Sequence, residues 1–344
     1  LTVILLYSFF AFVSGFAPNL MALLVLRTLF GIAMGGEWGV GASLTMETVP
    51  AKARGFVSGI LQCGYPTGYL IASLAYKTFY ATNILGWRGM IMLGALPALL
   101  SFYIIRHVKE SPGWVPKEGN TMEVVRNHWK LAMYAILLMT AFNFFSHGTQ
   151  DLYPNFLRVQ HKFDPATVGN IAVIYNIGAI LGGLYFGSLS QKIGRRRAII
   201  YAALLSLPVN YFWAYGSTAT MLAVAAFAMQ FMVQGAWGVI PAHLNELSPG
   251  EARGTFPGFT YQLGNFIASI NAVLQSTMAA DAGGNYSFAL ALVAGIVAIA
   301  IALLVGFGTE KKDIHMTVES SGGANPALRS GRSAGAVMTP QAQE

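Results

Sequence analysis

Four polar residues recur every fourth position inside an otherwise apolar stretch: Asn143, His147, Asp151 and Asn155. On a helix this spacing sets them on one face, and Ser146, Thr149 and Gln150 place hydroxyl and amide groups beside them. His147 and Asp151, one turn apart, can share or relay a proton. Asn143 and Gln150 offer neutral groups that can hold a carboxylate. An ionisable group inside membrane hydrocarbon costs ~2.5–3.5 kcal/mol on insertion scales. Such a stripe must therefore face protein or a water-filled path, its other use being hydrogen bonding between helices.

Two further charges stand in apolar surroundings. Arg27 keeps its charge inside a membrane, so it needs an anion, either a protein carboxylate or a bidentate carboxylate substrate. Glu37 is a candidate proton carrier; it lies ten residues on, or ~15 Å along a helix, too far for a direct pair. Gln262 and Asn265 beside Tyr261, and His243 with Asn245, suit either cavity lining or helix-to-helix hydrogen bonding. Cys63 is the only cysteine, which excludes a disulfide framework and reads as packing. Neither a metal-ligand pair nor a nucleophile–base spacing is present, so an enzyme is not expected, and no cofactor beyond a coupling proton.

The elements that position these groups follow from composition. The chain has 344 residues, 55% hydrophobic and only 10% charged, with a mean hydropathy of +0.54. Soluble domains carry roughly a quarter charged residues, so an all-α polytopic membrane protein is expected. A crossing helix needs ~20 apolar residues, and ten stretches qualify, at 1–17, 20–46, 55–80, 87–106, 131–157, 166–190, 196–215, 220–246, 254–280 and 285–308. The runs are too long, and lack the alternation, for a membrane β-barrel. Residues 1–17 lack the basic flank of a signal peptide. With the 47–54 loop placed in the cytoplasm, sixteen Lys and Arg fall inside and four outside. The net charge of +7 is thus explained by topology, and nucleic acid is not an expected partner. Residues 309–344 read as a disordered cytoplasmic tail.

The sequence repeats itself at an offset of 199. Gly36-Glu37-Trp38-Gly39-Val40 answers Gly235-Ala236-Trp237-Gly238-Val239, and Glu47 to Gly55 answers Glu246 to Gly254. Positions 36–59 hold ten identities in 24. The repeated block keeps its orientation, a parallel repeat about an axis along the membrane normal. Six spans fall in 131–308 but four in 1–106, so two helices are expected to precede Leu1, and the fragment alone is expected to be inactive. The expected organisation is an N-terminal helical half at 1–106, a central cytoplasmic loop at 107–130, a six-helix half at 131–308 and the tail. Arg27 and Glu37 face Ala226 and Ala236 in the repeat, an asymmetry that fits substrate or coupling roles. Glu47, Arg54, Glu246 and Arg253 recur in both halves, which fits gates or charge latches at the cytoplasmic ends. Glycines four apart, as in Gly31/Gly35/Gly39, Gly55/Gly59 and Gly178/Gly182, allow close helix approach.

This architecture and several motifs resemble the major facilitator superfamily. The run from Gly187 through Gly194 to Arg195, Arg196 and Arg197 is similar to its loop signature, with Gln191 where the pattern prefers Asp. Arg27 with Gly31, Gly35 and Gly36 resembles the arginine motif of the fourth helix, and Glu110-Ser111-Pro112-Gly113-Trp114 the E-S-P-x-W after the sixth. Gly64-Tyr65-Pro66-Thr67-Gly68 resembles the antiporter motif of the fifth helix, but Tyr65 interrupts it, which favours symport. Asn143-Phe144-Phe145-Ser146-His147-Gly148-Thr149-Gln150-Asp151 resembles the N-x-x-[ST]-H-x-[ST]-Q-D-x-x-x-T signature of sialate–lactate proton symporters, with Asn155 in place of the final Thr. The resemblance implies a monomeric, multi-pass protein of the plasma or cytoplasmic membrane. It would carry a small organic anion such as lactate or pyruvate with a proton, by alternating access. Sialic acid or another organic acid is the alternative substrate; a transporter-like nutrient sensor is a remoter one. Expected substrate ligands are Arg27, Asn143, His147, Gln150 and Gln262; expected proton-coupling residues are Asp151, His147 and Glu37. Gly187, Gly194 and Arg195 join the four repeated charges at the cytoplasmic gate.

Overall fold

The computed structural model describes residues 2–80, 84–107, 121–312 and 314. Among these the regular structure is entirely helical. The first group comprises α1 (Thr2–Ser14), α2 (Leu20–Met34), α3 (Glu37–Thr48), α4 (Arg54–Ala75), α5 (Trp87–Leu93) and α6 (Ala98–His107). After α7 (Thr121–Asn127) come α8 (Trp129–Gln150), α9 (Tyr153–Val159), α10 (Pro165–Ile193) and α11 (Arg195–Tyr215). The chain then continues through α12 (Ala219–Leu247), α13 (Phe256–Ala268), α14 (Asn271–Asp281) and α15 (Tyr286–Phe307).

Six runs are long and apolar enough to cross a membrane unaided: Leu20–Thr48, Trp129–Val159, Pro165–Ile193, Arg195–Tyr215, Ala219–Leu247 and Tyr286–Phe307. The other expected spans are helical too, but shorter, broken or more polar. Pro97 follows the end of α5, where the 87–106 stretch divides, and α13 gives way to α14 at Ser269–Ile270. The 131–157 stretch divides after Asp151, where Pro154 enters the first turn of α9. Proline is tolerated there because an N–H in the first turn has no helical partner.

The repeat seen in the sequence is present in the backbone. Pro50 (φ −54°, ψ 142°) and Pro249 (φ −58°, ψ 137°) each precede a 3₁₀ turn, Ala51–Ala53 and Gly250–Ala252. The helices also carry local start signals. Asp164 caps α10 by accepting from Ala166 N at 2.9 Å and Thr167 N at 3.0 Å. Thr218 and Asn285 cap α12 and α15 in the same way, as expected of short polar side chains at that position.

The two groups meet along glycine faces. A Cβ on Gly59 would lie 2.5 Å from Gly183 O, and one on Gly187 would lie 2.7 Å from Gly55 O. These pairs bring the backbones of α4 and α10 into contact. Gly39 does the same for α3 and α13, since its Cβ would stand 2.4 Å from the Cα of Gly258. The main core lies within α8 to α15, around Trp213, Tyr153, Phe142, Phe145 and Phe156. The tail expected after 308 is described only to Lys312, with Ile314; the Glu110–Trp114 motif and residues 315–344 lie outside the described residues.

Candidate functional site

The polar stripe of α8 opens onto a cavity of about 100 Å³ between the two helix groups. Trp38 of α3 and Leu61, Gln62 and Tyr65 of α4 line one wall; Asn143, Ser146 and His147 of α8, with Trp237 of α12 and Tyr261 of α13, line the other. Trp38 and Tyr261 pack across the groups with ring centroids 4.6 Å apart and planes tilted by 31°, and Trp237 meets Tyr261 edge-on at 6.0 Å. Gly39, next to Trp38, meets Gly258, three residues before Tyr261, on the side of these rings toward the helix ends that carry Lys192 to Arg197, the basic end. Trp237 is fixed by its indole N–H, which donates to Phe142 O at 3.1 Å.

At the far side of the cavity His147 and Asp151 face each other, Nδ1 lying 3.2 Å from the carboxylate, with side chains 30% and 33% exposed. The phenols of Tyr65 and Tyr69 on α4 and Tyr175 on α10 lie within reach of the Asp151 charge. A carboxylate and an imidazole at this separation, ringed by hydroxyls and half-screened from water, can hold and pass a proton.

The sequence-predicted residues separate into three places. Asn143 and His147 line the cavity, Asn143 held by a bond from Nδ2 to Met139 O at 2.9 Å. Gln150 is 3% exposed and turns away from it, donating to Gln230 Oε1 of α12 at 3.1 Å. Gln262 donates to Gly35 O at 2.7 Å, joining α13 to the α2–α3 kink. Arg27 lies over the Phe30 ring at 5.1 Å, is not part of the cavity lining, and has no carboxylate partner among the described residues. Glu37 is hydrogen-bonded to the Tyr7 hydroxyl of α1. So Arg27 and Glu37 are not brought to the His147–Asp151 pair, nor to each other. Arg27 stands in the middle of α2 and Glu37 at the start of α3, and the partner of each is a ring of the same helix group, Phe30 and Tyr7.

Sequence reasoning missed Gln230, Gln234 and Gln275. Gln230 donates to Thr149 Oγ1 at 3.0 Å, Gln234 to Ser146 Oγ at 3.0 Å, and Gln275 to Gly148 O at 2.9 Å. Gln230 and Gln234, four apart in an apolar helix, carried the same stripe signal that exposed Asn143 and His147. Gln275 stands in a more polar stretch and carried none.

Comparison with known proteins follows the same division of the chain. The profile described as Sugar (and other) transporter matches residues 1–132, and that of the Major Facilitator Superfamily matches residues 136–326. The chain belongs to the major facilitator superfamily. It is 30% identical over 324 residues to a carboxylic acid transporter protein homolog of Saccharomyces cerevisiae, a match covering 83% of this chain and 53% of that protein. The chain thus spans about half the length of this relative. It is 26% identical to the sialic acid transporter NanX of Escherichia coli, covering 92% of this chain and 78% of NanX. It is 27% identical to a probable 4-methylmuconolactone transporter of Cupriavidus pinatubonensis, covering 77% and 64%. A crystal structure of FucP, a major facilitator superfamily transporter, in the outward conformation shares the fold, with a TM-score of 0.63 at 13% identity over 90% of this chain and 82% of FucP. These relatives and the fold are transporters, not enzymes.

The loop signature of this superfamily member builds a charge network at the basic end. Arg195, fully buried, is held bidentately by Glu246, Nη2 to Oε1 and Nε to Oε2, both 3.0 Å. Its Nη1 donates to Ser190 Oγ at 2.8 Å and its Nη2 to Gln191 Oε1 at 3.0 Å. Gln191 Oε1 also accepts the Gly55 N–H at 3.1 Å, so this one oxygen ties α10 and α11 to the start of α4. Gly194 adopts φ 100°, a left-handed turn that suits glycine, and the Glu310 carboxylate fills the space beside it, accepting Arg195 N–H at 2.6 Å. Gly187 lets the α10 backbone meet α4. Arg54 donates to Met46 O at 3.1 Å and Ile314 O at 2.5 Å. Burial moves the Arg253 guanidinium below its ordinary range, and the Glu47 carboxylate of the other group opposes that shift in part.

Proposed function

We propose that this protein is a secondary transporter that carries a small monocarboxylate of the lactate or pyruvate type together with a proton, by alternating access. The observation that carries the reading is the cavity between the two helix groups with the His147–Asp151 pair at its side. The cavity, about 100 Å³, presents Asn143, Ser146, His147 and Gln62 to an occupant, a polar lining that suits a small carboxylate. The names of the relatives, a carboxylic acid transporter homolog among them, support an organic-acid substrate.

Charge arithmetic supplies the coupling. With neutral His147 and ionised Asp151 the pair carries one negative charge. A carboxylate ~5 Å away would then be repelled by ~3 kcal/mol at an effective dielectric constant of about 20. One proton makes the pair neutral as a whole and leaves an imidazolium able to donate to the substrate, while Asn143, Ser146 and Gln62 complete its hydrogen bonds. Substrate and proton therefore enter together. Separation of the Trp38–Tyr261 pair and of the Gly39–Gly258 contact would open the cavity toward the basic end, which the positive-inside rule places in the cytoplasm. In this reading Arg27 and Glu37, which do not line the cavity, are not ligands of the substrate. The protein works as a monomer, with the 1–106 and 131–308 segments as its rocking units.

The test is uptake of labelled lactate, pyruvate and sialate by cells expressing the full-length protein, with and without a protonophore. Protonophore-sensitive uptake of the two small acids is expected, abolished by Asp151→Asn. Uptake of sialate in preference to lactate would overturn the substrate assignment, and proton-driven uptake retained by Asp151→Asn would overturn the coupling role.

A further inference from the structure

The His147–Asp151 pair stands where α8 breaks, and the break is gripped by side chains from two other helices. The last-turn carbonyls of a helix have no partner within it. Here His147 O accepts the Asp151 N–H at 3.0 Å, which closes the ladder. The next carbonyl, Gly148 O, accepts Gln275 Nε2 of α14 at 2.9 Å. One residue on, Gln230 Nε2 of α12 reaches Thr149 Oγ1 at 3.0 Å and Thr149 O at 3.4 Å, while Gln230 Oε1 accepts Gln150 Nε2 at 3.1 Å. Both glutamines are buried, Gln275 at 0% and Gln230 at 1% exposure. Gly148 makes the approach possible: a Cβ there would stand 3.2 Å from Val293 Cγ1 and 3.6 Å from Gln275 Nε2.

We propose that Gln230 and Gln275 are positioning residues for proton coupling: they fix the rotation and height of the last turn of α8 and so hold His147 against Asp151. The proposal rests on the reading that this pair carries the coupled proton. The hydrogen bonds of both glutamines go to residues 148–150 and not to the pair, and neither lines the cavity. Because α8 ends here, its last turn lacks the continuing helix that would otherwise set its orientation, and these amides take over that function. The other titratable groups whose charge reaches Asp151 are Tyr65 and Tyr69 of α4 and Tyr175 of α10. They stand on helices other than α12 and α14, so removing either glutamine leaves them in place.

The test uses Gln230→Met and Gln275→Met, which keep side-chain volume and remove the amide, with Thr149→Val as a variant that removes the acceptor hydroxyl instead. The readout is the titration of the His147 ring, followed by NMR of histidine-labelled protein that stays monodisperse in detergent and assigned by His147→Gln. A midpoint displaced by about half a unit or more in the methionine variants, reproduced in direction by Thr149→Val, is the expected result. Restoration toward the parent value in Gln230→Asn or Gln275→Asn, which return an amide one methylene short, would reinforce it. Titration curves that superimpose on the parent's while thermal stability falls would reduce both glutamines to packing and overturn the proposal. Uptake measured against pH separates the two ideas. A displaced ring titration in a protein that moves no carboxylate with protons defeats the transport reading alone; proton-driven uptake with unchanged titration and pH profile defeats the positioning role alone.

Discussion

The Ser58 hydroxyl is spliced into the backbone of α12: it donates to Gly238 O at 2.7 Å and accepts the Ala242 N–H at 3.1 Å. Gly238 and Ala242 are four apart, so the serine stands between a donor and an acceptor that would pair directly in a regular helix. Pro241 lies beside this interruption. One side chain of the first helix group thereby completes the hydrogen bonding of a helix in the second, and the contact exists only while the groups are together at the basic end.

Ser58→Ala should therefore favour separation at that end. Cys63, the single cysteine, reports on it without engineering, because its thiol donates to Ile180 O at 3.3 Å across the α4–α10 contact. Maleimide labelling of Cys63 is expected to run several-fold faster in Ser58→Ala than in the parent, as about 1 kcal/mol lost with one hydrogen bond shifts a two-state population about fivefold. Equal rates would show that Ser58 does not bias the closed arrangement.

The Arg195–Glu246 pair makes a different prediction. Both side chains have 0% exposure, and removing one partner of a buried pair leaves an uncompensated charge at a cost of about 3–5 kcal/mol. Glu246→Leu is expected to lower the melting temperature in detergent sharply, whereas Arg195→Leu with Glu246→Leu should recover much of the loss. A double variant as unstable as the single one would mean that the bonds of Arg195 to Ser190 and Gln191 dominate.

How far could these features be read before the fold was known? The ten apolar stretches, the offset repeat and the α8 stripe depend on local periodicity, and helices occupy all ten stretches, although 20–46, 87–106, 131–157 and 254–280 are each divided in two. Partners across helices do not obey such a rule. The same spacing that marked Asn143 and His147 also marked Gln150, yet a helix face is broad enough for Gln150 to turn toward Gln230 while His147 turns to the cavity. Arg27 stood out because a lone guanidinium in an apolar run demands an explanation. Its neighbour across the turn, Phe30, supplies a ring rather than a carboxylate, and no periodicity distinguishes those outcomes. Gln191 shows the reverse: in sequence it is a departure from the loop signature, and in the fold its oxygen bridges Arg195 and Gly55.

The cap of α10 should respond to acid. The Thr167 hydroxyl, then the Thr167 and Ala166 N–H groups, hold the Asp164 carboxyl below its ordinary range. Its folded value is depressed, so its contribution is fully present above the unfolded value near 3.8 and disappears as pH falls through the folded value. Asp164→Ala is accordingly expected to melt below the parent at pH 7, and the two curves should converge in strong acid. A gap that persists there would point to a loss of packing rather than of the charged cap.

Gly39→Ala probes the second crossing. A Cβ at Gly39 would stand 2.4 Å from the Gly258 Cα, and relieving such an overlap by backbone shifts costs ~1–3 kcal/mol. Faster Cys63 labelling together with a lower melting temperature is expected. Unchanged labelling would mean that α3 and α13 can slide without parting the groups.

The glycine crossings bear finally on how lightly the two groups can be held together. At Gly39–Gly258, Gly59–Gly183 and Gly55–Gly187 main chain meets main chain, so closing these contacts freezes no rotamers, and opening them releases none. The entropy that usually makes an interface hard to tune is small here, and the balance between closed and open is left to a few hydrogen bonds and charges. In the cycle proposed above, a small free-energy difference, on the order of what one proton and one bound anion would contribute, is then enough to tip the groups from one side to the other.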